Sequence, residues 1–183
     1  MILFINACVR EESRTQRLAR ALLKKLGEPY EELYLPAVNL QPLSSDRLNQ
    51  RTELIAQGDY NHPIFDLAKQ FAQADQIIIA APFWDLSFPA ILKTYLENIY
   101  VTGIVSRFGA DGQPHGLCKA KKLYYVTTAG GAFVPDYSYR YIEELAKVHF
   151  GIPQVELIEA QMLDVDGFDA EEIVMSTINR MKE

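Results

Sequence analysis

Gln76-Ile77-Ile78-Ile79-Ala80-Ala81 is the most strongly apolar stretch of the chain, and Pro82 ends it. Its apolar residues run continuously instead of alternating with polar ones, which is typical of a strand buried on both faces of a sheet. Residues 2–7, at the start of the chain, show the same pattern. Two such strands indicate a parallel sheet, because crossover helices cover both of its faces.

Amphipathic segments and further strands alternate on either side of these two strands. The periodicity predicts strands at residues 31–35, 122–128 and 155–159, and helices at residues 13–26, 46–57, 65–74, 89–100, 138–150 and 169–181. Residues 102–117 are polar and rich in glycine, which predicts a loop. The alternation predicts an α/β fold of the flavodoxin-like type, a three-layer sandwich with a five-stranded parallel sheet of order 2-1-3-4-5.

Length and composition suit one domain, with an insertion at about residues 36–63. The 183 residues are 49 % hydrophobic and 23 % charged, which argues against disorder and against a disulfide scaffold. No apolar run approaches the roughly 20 residues of a membrane-spanning helix, and the first residues do not resemble a signal peptide. Cys8 and Cys118 lie far apart and outside any CxxC pair, so we expect a reduced, cytoplasmic protein that makes no membrane contact.

Charge is unevenly distributed along the chain. The net charge is −6, but residues 10–25 hold six basic residues against two acidic ones, a local charge of +4 that leaves −10 for the remainder. An acidic protein is a poor ligand for nucleic acid, so we expect no nucleic-acid partner. The basic cluster instead predicts a site for a small anion.

The first loop, residues 7–15, leads directly into the first predicted helix. Hydroxyls at Ser13 and Thr15, with charges at Arg10 and Arg14, would assist the anion site that a helix N-terminus provides. Neither GxGxxG nor a P-loop is present, and a loop of Ser and Thr suits a monophosphate better than a pyrophosphate. The alternative is that Ser13, three residues before Gln16, only caps the helix while the arginines stay solvated.

Two more loops follow buried strands and end at the same edge of the sheet, near the switch point where such folds bind ligands. The second reads Pro82-Phe83-Trp84-Asp85-Leu86-Ser87-Phe88-Pro89, and its aromatic residues suit a flat ring. The third reads Thr128-Ala129-Gly130-Gly131-Ala132-Phe133, and its paired glycines permit close approach of a ligand to the backbone. Packing beneath the next helix is the alternative for the aromatic residues, above all for Phe88, and a plain turn is the alternative for the glycines.

Taken together, the three loops resemble those of the flavodoxin-like NAD(P)H:quinone oxidoreductase and FMN-dependent NADH azoreductase family. The resemblance implies FMN as cofactor, NAD(P)H as electron donor, ping-pong transfer of two electrons to a quinone or azo-type acceptor, and a homodimer. By position, it places the cofactor against Cys8, Arg10, Ser13, Arg14, Thr15, Pro82, Phe83, Trp84, Asp85, Leu86, Thr128, Ala129, Gly130 and Gly131. It makes Phe108 and Phe133 candidates for the wall of the substrate pocket.

The chain departs from the family pattern at three places. Trp84-Asp85-Leu86 stands where Tyr-Asn-Phe is typical, Thr128-Ala129 where Ser-Arg is frequent, and Cys8-Val9 where Ser-Pro is common. The first two departures make the flavin site more negative. Asp85 replaces an amide with a carboxylate, which only accepts hydrogen bonds when ionised, and Ala129 replaces an arginine. Because the implied flavin would do the chemistry, no side chain need be an obligate acid or base, and Asp85 is the candidate for tuning the flavin.

Two other function classes compete with this hypothesis. A flavodoxin-like electron carrier or sensor would bind FMN without oxidising a nicotinamide. A hydrolase is disfavoured, because the chain has no GxSxG motif and its three histidines show no metal-ligand spacing, so we expect no bound metal. Cys8, near a helix N-terminus, could be activated as a nucleophile, but it has no identifiable base.

Overall fold

A computed structural model describes residues 1–133 and 137–181. Its main sheet contains five parallel strands, β1 (Ile2–Asn6), β2 (Tyr30–Tyr34), β3 (Gln76–Ala80), β6 (Lys122–Thr128) and β7 (Gln154–Ala160). Their spatial order is β2-β1-β3-β6-β7. The predicted order 2-1-3-4-5 is therefore confirmed, once the two strands of a separate hairpin are set apart.

Six α-helices connect and flank these strands in the part of the chain that the structure describes. They are α1 (Arg14–Leu26), α2 (Ser45–Gln57), α3 (Asp66–Gln73), α4 (Ala90–Ile99), α5 (Tyr139–Glu144) and α6 (Ala170–Arg180). A π-helical segment, Leu145–Phe150, continues α5, so the α-helix predicted over residues 138–150 is only partly α-helical. Gly151, at a φ of 74°, ends that segment in the left-handed conformation that glycine adopts without strain.

Alternate residues of the central strands enter two separate buried clusters. Leu3, Ile5, Ile77 and Ile79 pack with residues of α3, α4 and α5, whereas Ile2, Phe4, Ile78 and Ala80 pack with residues of α1 and α6. Neighbouring side chains of a strand point to opposite faces, so both faces of the sheet are covered with apolar residues. This is why β1 and β3 are continuously apolar in sequence.

The segment predicted to be a loop, residues 102–117, contains an antiparallel hairpin, and that prediction was wrong. Strands β4 (Ser106–Phe108) and β5 (Pro114–Gly116) pair with Phe108 opposite Pro114. Each strand has only three residues, too few for a recognisable alternation. The hairpin packs against the end of the π-helical segment, where Gly116 meets the backbone of Phe150 and Gly151.

The segment predicted to be an insertion, residues 36–63, is anchored to the body of the protein by an arginine of α2. Arg51 is buried and donates to the backbone oxygens of Glu97 (3.2 Å) and Tyr100 (2.6 Å) at the C-terminus of α4. These oxygens lack intrahelical partners, and the negative end of the helix dipole favours a cation there. Burial, and next the neighbouring Arg47, lowers the pKa of Arg51.

Replacing Arg51 with Met is therefore expected to lower the free energy of unfolding by about 2 kcal/mol, because two carbonyls lose a charged donor. Urea denaturation followed by circular dichroism measures the change. Lys147→Met removes an exposed cation that pairs with Glu143 at 2.8 Å, and this control should cost less than about 0.5 kcal/mol. Equal, small effects of both variants would show that Arg51 does not anchor the insertion.

Candidate functional site

A cavity of about 950 Å³ lies at the carboxyl ends of β1, β3 and β6. Residues 9–17, 20, 82–84, 128–130, 163 and 164 line it. The three loops singled out in the sequence thus meet in one place, as the switch-point rule requires. Its volume falls within the range of roughly 300–1,000 Å³ that is usual for small-molecule and cofactor sites.

The first loop places a hydroxyl and a helix N-terminus at the cavity. Ser13 is the N-cap of α1, and its Oγ accepts from the amide of Gln16 at 3.2 Å, which confirms the predicted cap. The other amides in the first turn of α1 have no intrahelical acceptors. Thr15 is buried, and its Oγ1 lies 2.6 Å from Oγ1 of Thr128, so this hydroxyl pair joins the first loop to the third.

Cys8 is placed differently from the other residues of its loop. It is buried, its amide donates to Oδ1 of Asn6 at 3.0 Å, and its Sγ lies 3.8 Å from the carbonyl oxygen of Ala80. It does not line the cavity. Burial, partly offset by hydrogen bonds from Ser13 and Gln16, raises the pKa of the Cys8 thiol to about 11. The thiol is therefore protonated at neutral pH, which argues against a nucleophilic role, while its proximity to a cofactor stays a prediction.

The basic cluster of the sequence is largely paired with carboxylates. Three arginines of α1 line the cavity, and each forms an ion pair with a carboxylate from another part of the fold. The pairs are Arg14–Asp164, Arg17–Glu171 and Arg20–Glu32. Arg17 engages both oxygens of Glu171 through its two η nitrogens. Arg10 is exposed in the loop before α1. Carboxylates from outside residues 10–25 thus offset much of the charge of +4 that this segment carries.

The second loop forms a tight turn beside the cavity. Trp84 is 38 % exposed and lines the cavity with Pro82 and Phe83, whereas Phe88 is buried with its ring against Tyr141 of α5. Asp85 and Leu86 have φ values of 49° and 66°, and backbone bonds of 3.0 and 2.8 Å between Trp84 and Ser87 close the turn. Asp85 and Leu86 are not among the residues that line the cavity, so their contacts with the cofactor stay predictions.

The third loop contributes Thr128, Ala129 and Gly130 to the cavity, and Gly131 lies just beyond it. The two predicted substrate residues are separated. Phe133 packs edge-on against Phe83, with ring centroids 4.9 Å apart, and so adjoins the cavity. Phe108 is 65 % exposed on the hairpin and does not line the cavity of its own chain.

Sequence reasoning missed a fourth wall, the loop between β7 and α6. Leu163 and Asp164 line the cavity from this loop. The signal was available, because β7 is parallel to β6 and its carboxyl end must lie at the same edge of the sheet. Among the residues that the structure describes, no group of three His, Cys, Asp or Glu side chains is placed to hold a metal ion. No helix in residues 1–133 or 137–181 is long and apolar enough to cross a membrane.

Comparisons with known proteins agree with this architecture. A family model described as flavodoxin-like fold matches residues 1–183. The FMN-dependent NADH:quinone oxidoreductase 2 of Clostridium acetobutylicum is 34 % identical, over 100 % of this chain and 96 % of that protein. The FMN-dependent NADH:quinone oxidoreductase of Coprothermobacter proteolyticus is 32 % identical over the same shares. The crystal structure of an FMN-dependent NADH-azoreductase from Bacillus anthracis with FMN superposes with a TM-score of 0.82, at 20 % identity, over 97 % of this chain and 93 % of that one.

Proposed function

Because this chain belongs to the flavodoxin-like family of FMN-dependent NADH:quinone oxidoreductases, we propose that it binds FMN in the cavity above β1, β3 and β6. The protein is an oxidoreductase that takes electrons from NAD(P)H and passes them to a quinone or azo-type acceptor. One observation carries this proposal: all three loops that the sequence assigns to the cofactor border a single cavity of suitable volume.

The donors around the cavity fit the two ends of FMN. The first turn of α1 offers free amides, the Ser13 hydroxyl and the Arg14 guanidinium, which suit a phosphate monoester. Pro82, Phe83 and Trp84, on the second loop, offer flat and apolar surface that suits the ring system. Thr128 to Gly130 would approach the ring with backbone and small side chains.

When bound, FMN supplies the two-electron chemistry, and the protein supplies orientation and electrostatics. The Thr15–Thr128 hydroxyl pair holds the phosphate end and the ring end of the site in register. Trp84 and Phe83 line one side of the cavity and would exclude water from a ring bound against them. The chain therefore needs no side chain as an obligate acid or base.

We expect the donor and the acceptor to use the same entry in turn, which gives a ping-pong mechanism. Support comes from the single cavity at the three loops, since two substrates that compete for one face must bind one after the other. Initial rates at several fixed acceptor concentrations should give parallel double-reciprocal lines against NADH. Intersecting lines would contradict the ping-pong proposal without affecting the FMN assignment.

The exposed Phe108 supports the further proposal of a homodimer, in which the hairpin of one copy would reach the cavity of the other. Phe108 is 65 % exposed, and covering its ring with a second copy of the chain would remove that apolar surface from water, which is favourable. Sedimentation equilibrium should give twice the mass of the chain. Phe108→Ala should raise KM for the acceptor with little change in FMN affinity, and a monomer with full activity would contradict this proposal.

Three further expectations accompany the proposed function: a three-layer sandwich, a single domain and a cytoplasmic location. The apolar clusters on both faces of the sheet support a three-layer sandwich, and the match along residues 1–183 supports a single domain. Cys8 and Cys118 are both buried free thiols, and this supports a reducing, cytoplasmic location.

An absorption spectrum of the purified protein with added FMN, before and after anaerobic NADH, tests the function. We expect a bound flavin spectrum that NADH bleaches and that a quinone restores. Bound FMN that NADH does not bleach would indicate an electron carrier or sensor. Absence of FMN binding would overturn the proposed function and leave the fold unaffected.

A further inference from the structure

The loop between β7 and α6 is fixed to the end of β6 by consecutive backbone hydrogen bonds. The amides of Met162, Leu163 and Asp164 donate to the carbonyl oxygens of Gly131 (3.1 Å), Ala129 (3.2 Å) and Gly130 (2.9 Å). Met162, at a φ of 66°, turns the chain into this register. The loop therefore holds its side chains at a defined position above the third loop.

Asp164 reaches the cavity only because Gly130 has no side chain. A Cβ at Gly130 would lie 2.5 Å from Oδ2 of Asp164. The other carboxylate oxygen, Oδ1, accepts from Nη1 of Arg14 at 2.7 Å, and the carbonyl oxygen of Leu163 lies 3.3 Å from the same nitrogen. The two hydrogens of Nη1 are thus both directed at the β7–α6 loop.

This arrangement leaves one edge of the Arg14 guanidinium for a ligand. Nε and Nη2 make no hydrogen bond to any residue that the structure describes, and together they form the planar fork that binds two oxygens of one phosphate. Arg17, one turn along α1, is different, because both of its η nitrogens are engaged by Glu171. The α1 arginines are therefore not equivalent, although the sequence presents them as one cluster.

We propose that Asp164 is a positioning residue that holds Arg14 by Nη1 and directs its Nε–Nη2 edge at the phosphate monoester of FMN. This inference rests on the proposed function and adds a residue to the same site. A carboxylate near an anion would ordinarily oppose binding, so the direction of the mutational effect separates positioning from competition. Positioning weakens the binding of the phosphate when Asp164 is removed, and competition strengthens it.

The test compares FMN with riboflavin, which has the same ring and no phosphate, by quenching of flavin fluorescence on binding. Asp164→Ala is expected to raise the Kd for FMN about tenfold and to leave the Kd for riboflavin within about twofold. Asp164→Asn keeps an acceptor for Nη1 and should restore most of the FMN affinity. Asp166→Ala, the matched control, removes an exposed carboxylate of the same loop that does not line the cavity, and it should leave both Kd values unchanged.

A double variant links the effect to Arg14. Asp164→Ala combined with Arg14→Ala should bind FMN no more weakly than Arg14→Ala alone, because the positioned group is already absent. Tighter FMN binding by Asp164→Ala, unchanged FMN binding, or an equal loss for riboflavin would each overturn the inference while the proposed function stands. If the wild-type protein binds no FMN, the proposed function fails and this inference fails with it.

Discussion

Replacing Gly116 with Ala is expected to lower the free energy of unfolding by about 3 kcal/mol, a large effect for one methyl group. The added Cβ would overlap the amide nitrogen of Gly151 and the carbonyl carbon of Phe150. Both are backbone atoms, so no side-chain rotation can relieve the overlap. The hairpin must separate from the π-helical segment, or that segment must shift.

Thermal and urea denaturation measure this loss, and Gly131→Ala is the matched control. An added Cβ at Gly131 meets no atom within 4 Å, and neither glycine has a φ that only glycine tolerates, so the two variants differ in steric overlap alone. The control should change stability by less than about 0.5 kcal/mol. Equal effects of the two substitutions would show that the hairpin does not pack as closely as described.

The second large effect is expected in the redox behaviour of the bound flavin. Asp85→Asn should raise the two-electron reduction potential, because a negative charge near the ring disfavours the reduced flavin, which is more negative than the oxidised form. For a unit charge about 10 Å away and an effective dielectric constant of about 20, the interaction is about 1.7 kcal/mol, which corresponds to about 35 mV for two electrons.

The geometry of the turn makes Asp85→Asn a clean substitution. Asp85 has a φ of 49°, and Asn tolerates this left-handed conformation at least as well as Asp does. Asp166→Asn, which removes the same charge from an exposed position outside the second loop, is the control. Spectroelectrochemical titration that shows a lower or unchanged potential for Asp85→Asn would refute the tuning role.

Local pattern was sufficient for the main sheet and failed for elements that depend on packing. The apolar side chains of β1 and β3 can be removed from water only in a sheet that is covered on both faces. Their burial therefore follows from the sequence. Strands β4 and β5 have three residues each, and they pack against Gly151, which is far from them in sequence. Such short strands leave no periodic signal.

The candidate site likewise contains residues whose position follows from local sequence and residues whose position depends on tertiary contacts. Ser13 as an N-cap and Trp84 at the cavity follow from their places after buried strands, because the carboxyl ends of parallel strands share one edge. The pairing of Arg14 with Asp164 could not be predicted, because the two residues are 150 positions apart in sequence, although the parallel strands could have located the loop. Cys8 was expected beside the cofactor on position alone; its side chain lies in the core against Ala80, and its proximity to the cofactor stays a prediction.

The sequence by itself determined the strand order and the edge of the sheet at which the three loops meet, because hydrophobic periodicity and loop position are local properties, and the resemblance of those loops indicated the family. Only the tertiary structure decided which charges face the cavity. The arginines of one helix do not indicate their partners in the sequence. Asp164, Glu171 and Glu32, which pair with them, come from three other parts of the fold. The free edge of Arg14 is thus a product of the fold.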